Sequence, residues 1–193
     1  MIVRRVIVTG GREWADSMWI ESDLRALQGL GLHRVAQGAA RGADRIVEYV
    51  WRIIAENYDA EKSEGRYAVD EQIDGPWPAA GNVRNRRMID AEAELARLAD
   101  EPLLGLAYPD PNSSGTWNCV EDMLRSGIPV CVATPDDGRR ARVATIAASH
   151  GAFWIGNPAL ITIVPRNVTY PDAFENLGHV HRALLATAGG PTP

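Results

Sequence analysis

Val6-Ile7-Val8-Thr9-Gly10-Gly11-Arg12 decides the fold class of this 193-residue chain. An apolar, β-branched run stops abruptly at two glycines and an arginine, and a helix-like stretch follows. A buried parallel strand that delivers a backbone loop and a cation to an anion at its carboxyl end has this order. The same grammar recurs at Gly38-Ala39-Ala40-Arg41-Gly42-Ala43-Asp44, at Gly81-Asn82-Val83-Arg84-Asn85-Arg86-Arg87-Met88, and at Ser113-Ser114-Gly115-Thr116. Four such loops predict a nucleotide-like, phosphate-bearing ligand.

Working outward, residues 2–9 read as the first strand. Asp16 is placed to cap a helix through about 28, with Met18, Ile20, Leu24 and Leu27 near helical spacing and Gly29 at its end. Residues 33–37 make a short strand. A helix over 43–57 presents Ile46, Val47, Val50, Trp51 and Ile54 on one face. The polar stretch 58–82 holds Pro76-Trp77-Pro78 and reads as a long loop, a common setting for binding loops, with a short strand around 66–69. A helix over 83–99, a strand over 103–108, a helix over 114–125 and a strand over 129–134 follow. Alternation of this kind predicts an α/β fold with a mainly parallel sheet covered on both faces. The rhythm weakens after Pro135-Asp136-Asp137-Gly138. Residues 1–137 therefore read as the ligand-binding domain and 138–193 as a C-terminal extension packed on or beside it, with a strand over 159–164, a terminal helix over 172–187 and a disordered tail.

Composition narrows the function classes. The apolar fraction of 46% and charged fraction of 23% are those of an ordinary globular chain. No apolar run approaches the length of a membrane span, no signal peptide precedes the first strand, and Cys119 and Cys131 lack metal or redox spacing. The chain reads as cytoplasmic. A net charge of −5 argues against nucleic acid as its main partner. Its cations are 19 arginines and one lysine, Lys62. Guanidinium forks suit phosphate, but a GC-rich genome gives the same bias, so only the placement of particular arginines carries weight.

Gly10 and Gly11 let the backbone approach a ligand, and Arg12 stands where a guanidinium can grip phosphate. The loop has neither the three-glycine dinucleotide fingerprint nor the Gly-Lys-Ser/Thr of a P-loop. Gly38 and Gly42 permit tight approach at a helix start. There Asp44 can accept from a sugar hydroxyl or simply favour the helix dipole, and Arg41 can reach the ligand or stay solvated. Arg84, Arg86 and Arg87 crowd a helix start, where an anion relieves their repulsion; Arg84 is the favoured ligand contact, with Asn85 beside it. Ser113, Ser114, Gly115 and Thr116 offer hydroxyls and free amides. Trp14 and Trp117 adjoin these loops and are the candidates to stack on a base, with the core as their competing place. No nucleophile–base pair and no metal site is legible.

With these four segments in order, the chain resembles the YspA-like branch of the SLOG superfamily, related to the Lonely Guy phosphoribohydrolases and to the DNA-processing protein DprA. Val8-Thr9-Gly10-Gly11-Arg12, residues 38–44, Arg84-Asn85-Arg86-Arg87-Met88, Ser114-Gly115-Thr116-Trp117 and Gly127-Ile128-Pro129-Val130 carry the resemblance across residues 5–134. It implies a Rossmann-like three-layer sandwich that binds a nucleotide at the carboxyl ends of its strands. Against the Lonely Guy pattern, Arg84 and Met88 match, Asn85 replaces a lysine, and Asn118 and Cys119 replace two glutamates. The binding half looks retained and the hydrolytic half altered. The expected function is binding of an ADP-ribose-like ligand or a nucleoside monophosphate, with no required cofactor and as a homodimer. The alternatives are a phosphoribohydrolase using Arg84 with Asp44, Glu13 or Glu121, and DprA-like single-strand DNA binding.

Overall fold

A computed structural model describes residues 3–57, 63–156, 159–168 and 173–188. The elements run β1 (Arg5–Gly10), α1 (Ser17–Gly29), β2 (Arg34–Gln37), α2 (Ala43–Asn57), β3 (Ser63–Arg66), the single turn α3 (Glu71–Asp74), α4 (Ala80–Ala99), β4 (Leu103–Tyr108), α5 (Ser114–Arg125), β5 (Val130–Ala133), α6 (Asp137–Ser149), β6 (Phe153–Gly156), β7 (Leu160–Val164) and α7 (Ala173–Ala188). The strands form one sheet in the order β3-β2-β1-β4-β5-β7-β6. The first five are parallel; β7 runs antiparallel to β5, and β6 antiparallel to β7.

The apolar run of β1 is buried between two helical layers, as continuous hydrophobicity in a parallel strand requires. On one face Ile20, Leu24 and Leu27 of α1, Val47, Trp51 and Ile54 of α2, and Val180 and Leu184 of α7 share a core with Val6 and Val8. On the other, Met88 and Ile89 of α4, Val120 and Met123 of α5, and Val143 and Ile146 of α6 pack with Ile7 and Val132. The molecule is a Rossmann-like three-layer sandwich. The chain leaves β1 towards β2 on one side and returns at β4 on the other, so the sheet's topological switch point lies between β1 and β4.

The Asp16 side chain accepts from the Trp19 amide at 2.9 Å and starts α1, as its spacing predicts. In the same layer, the Tyr108 hydroxyl donates to buried Asp23 of α1 at 2.8 Å, tying the end of β4 to the helix. Several boundaries differ from expectation. The strand expected around 66–69 lies at Ser63–Arg66, and α4 begins at Ala80 rather than 83. Residues beyond 137 extend the same sheet: β7 pairs with β5, and α7 packs on α1. Helix α6 and the exposed edge strand β6 were not foreseen. The expected disordered tail lies outside the described residues. Among these residues no helix is long and apolar enough to cross a membrane.

Gly42 fixes how α2 meets β1. Its φ is +78°, and a Cβ there would lie 2.3 Å from the Gly11 carbonyl oxygen. Gly42→Ala is therefore expected to cost about 2 kcal/mol or more in urea unfolding, from left-handed strain and a backbone clash. Gly29→Ala at the end of α1 meets nothing within 4 Å and should leave stability unchanged or slightly raised.

Candidate functional site

A cleft of about 790 Å³ opens at the carboxyl end of the sheet over the switch point. Its walls are the end of β1 and the loop after it (Thr9 to Glu13), Gly38 and Ala40 after β2, Asp44 of α2, the turn before α4 (Trp77, Pro78), the start of α4 (Gly81, Asn82, Arg84 and Asn85), and the segment from Asp110 to Thr116 entering α5. All four sequence loops contribute: the 81–88 segment through Gly81, Asn82, Arg84, Asn85 and Met88, and the 38–44 loop through Gly38, Ala40 and Asp44.

The cleft floor is an incompletely satisfied ion pair. Arg84 is 7% exposed, and its Nη1 lies 3.7 Å from Asp44 Oδ2 and donates to the Tyr67 carbonyl at 3.4 Å. Its Nε is buried without a partner. Gly38 makes room for this side chain, because a Cβ there would lie 1.2 Å from Arg84 Nη1. Asp44 accepts from the Ala40 amide at 3.2 Å. Burial pushes the Asp44 carboxyl up to about 6, against the opposing pull of Arg84, the Ala40 and Gly38 amides and Arg12. Burial likewise lowers the Arg84 pKa, opposed by the Asp44 charge.

Two helix N-termini face this floor. Neither α4 nor α5 has a side-chain cap, and neither carries an acid in its first turn. The Ser113 hydroxyl donates instead to the Asp110 carbonyl at 2.9 Å. The Asn85 amide donates to the Gly115 carbonyl at 3.4 Å and couples the two helix starts. Aligned peptide dipoles give each start a partial positive charge, so the wall formed by Gly81, Asn82, Ser114 and Gly115 favours an anion.

Some proposed ligand residues have other work. The Gly11 amide donates to the Tyr108 carbonyl at 2.9 Å, and the Glu13 amide to Asp110 at 2.8 Å, so the first loop is held from within. Arg41 does not line the cleft; it pairs with Glu13 at the surface. Gly42 packs α2 against the first loop rather than lining the cleft. Arg86 pairs with Asp122 at 3.0 Å and Arg87 with Asp74 at 2.9 Å, which holds the Asp74 carboxyl at about 2. Glu121 lies outside the cleft, 2.8 Å from Arg125. Trp14 and Trp117 are core residues, 8% and 5% exposed, so neither can stack on a cleft ligand. Trp77 was missed as an aromatic wall, although its Pro-Trp-Pro setting in a long polar loop was the available signal. Among the described residues no group of three or more His, Cys, Asp or Glu could hold a metal ion. The thiols of Cys119 and Cys131 are pushed by burial up to about 12 and are not nucleophiles at neutral pH.

The Gene 61 protein of Mycobacterium phage D29 is 31% identical over 137 residues, which make up 66% of this chain and 94% of the phage protein. The chain belongs to the family of that protein. No family model matches the chain. For this member of the Gene 61 family, the cleft floor sets a pH signature of its own.

The Asp44 carboxyl titrates near 6 when folded and at its ordinary 3.8 when unfolded. Its neutral form thus supports the fold fully below about pH 4, and that contribution is lost as pH rises through 6. Urea unfolding of wild type and Asp44→Asn across pH 4–7 should show the wild type losing stability relative to the variant, by on the order of 3 kcal/mol. A difference that stays flat with pH would contradict a buried, titrating Asp44.

Proposed function

We propose that the cleft binds a nucleotide or nucleotide-derived ligand, either ADP-ribose-like or a nucleoside monophosphate, and that the chain serves as a SLOG-type binding module, a sensor rather than a catalyst. One observation carries the reading: two acid-free helix N-termini without side-chain caps converge on a buried arginine whose Nε has no partner. A phosphate answers both, accepting from the Gly81 and Gly115 amides, since those of Asn82 and Ser114 donate to the Ala79 and Asn112 carbonyls, and neutralising Arg84 more fully than Asp44 can at 3.7 Å. The cleft volume suits a ligand of nucleotide size.

A second reading rests on Asp44. A cleft carboxyl held near 6 beside an arginine is placed for N-glycosidic hydrolysis, in which water adds to the anomeric carbon and the base departs with a proton. Glu121 cannot take that role from outside the cleft, and Glu13 stands exposed at the rim. Release of free base from nucleoside monophosphates, abolished by Asp44→Asn, would establish this reading over binding alone.

Gly115→Asp tests the binding reading without disturbing the fold. A Cβ at Gly115 meets only Asn82 Oδ1, at 4.0 Å, and an acid in the first turn of α5 suits the helix dipole. The variant should keep or gain thermal stability, yet bind AMP and ADP-ribose at least about 10-fold more weakly by calorimetry. Equal affinity in both proteins would place the anion elsewhere.

A further inference from the structure

Trp77 differs from the other tryptophans near the cleft. It is 51% exposed and lines the cavity, whereas Trp14 and Trp117 are sealed in the core. Its ring rests against the start of α4, where a Cβ at Gly81 would lie 3.5 Å from it. The Arg12 guanidinium covers the ring, with its central carbon 5.6 Å from the ring centroid. An aromatic face and a cation are thus held together beside the proposed anion wall. An exposed cation–π contact is weak, and both halves gain from better partners. The ring gains from a flat unsaturated ring stacked on it, and the guanidinium from an anion.

We propose that Trp77 is the aromatic-recognition residue of the cleft: the ligand's base stacks on the indole face that Arg12 covers, and Arg12 turns to the ligand's anionic group. This assignment rests on the anion-binding reading above and deepens it, because it requires an aromatic base on the ligand as well as a phosphate. Trp77 and Pro78 line the cleft beside the N-terminus of α4, and the N-terminus of α5 continues the same lining. The two ends of one nucleotide are therefore read by different physical interactions, stacking and charge.

The two interactions separate in titrations with AMP and with ribose 5-phosphate, which carries the anion but no base. Trp77→Leu removes a half-exposed side chain and leaves the core intact, and Trp77→Phe keeps an aromatic face. Trp77→Leu should weaken AMP binding by about 5- to 100-fold, the range set by base–aromatic stacking. It should leave ribose 5-phosphate within about 2-fold, and Trp77→Phe should restore most of the AMP affinity. AMP should also quench the fluorescence of wild type but quench Trp77→Phe far less. If wild type binds both compounds and Trp77→Leu alters neither, or weakens both alike, the stacking role is overturned while the anion site stands. If wild type binds neither compound, the anion-binding reading falls and the stacking role with it.

Discussion

The contact between Arg84 and Asp44 joins the two helical layers of the protein. Asp44 starts α2 on one face of the sheet, Arg84 lies in the first turns of α4 on the other, and they meet over the open end of the strands. The meeting is possible because position 38 has no side chain to block the guanidinium. Removing two charges from water is expensive, and a buried pair stabilises a fold only when its geometry is tight and its remaining donors are satisfied. Neither condition is met here: the nearest approach is 3.7 Å, and Nε has no partner. The pair is better understood as a site held ready than as a clasp.

The neighbouring charges support that view. Arg86 and Arg87 have close acidic partners in Asp122 and Asp74, so the crowding of cations at the start of α4 is already relieved on its outer side. Arg84 instead points inward, towards Gly38, the Tyr67 carbonyl and Asp44. Burial discourages the charge on Arg84 and drives the neighbouring carboxyl towards neutrality, and the proposed anion site rests on that balance. Protonation of Asp44 removes the negative charge beside Arg84, so under the proposed reading anion affinity should rise as pH falls through about 6.

Much of this was legible in the chain. Strand, glycine, helix is a pattern that parallel sheets impose, and it located β1, β2, β4, β5 and the four loops. The pattern could not tell which glycines face a ligand and which let helices pack. Gly42 serves packing and Gly38 makes way for a side chain, and only the tertiary contacts distinguish them from Gly115, which faces open space. Trp14 and Trp117 are adjacent to ligand loops in sequence but point into the two cores. Helix α6 escaped notice because few of its side chains are buried, chiefly Val143, Ile146 and Ala147, and its Asp136 cap reads equally well as a turn. Strand β6 is four residues long and exposed throughout, so it has no alternation to detect. Strand β6 lies at the far edge of the sheet from the cleft, and α6 follows β5 through a Pro-Asp-Asp-Gly stretch rather than a glycine loop of the recurring kind.

The claim that a nucleotide occupies the cleft is tested most directly by following backbone amide and indole N–H resonances during an AMP titration. The amides of Gly81, Asn82, Ser114 and Gly115 should shift together with the Trp77 indole, saturating along one binding curve. Shifts confined to β6 and α7, or no saturable change in the cleft, would contradict the account.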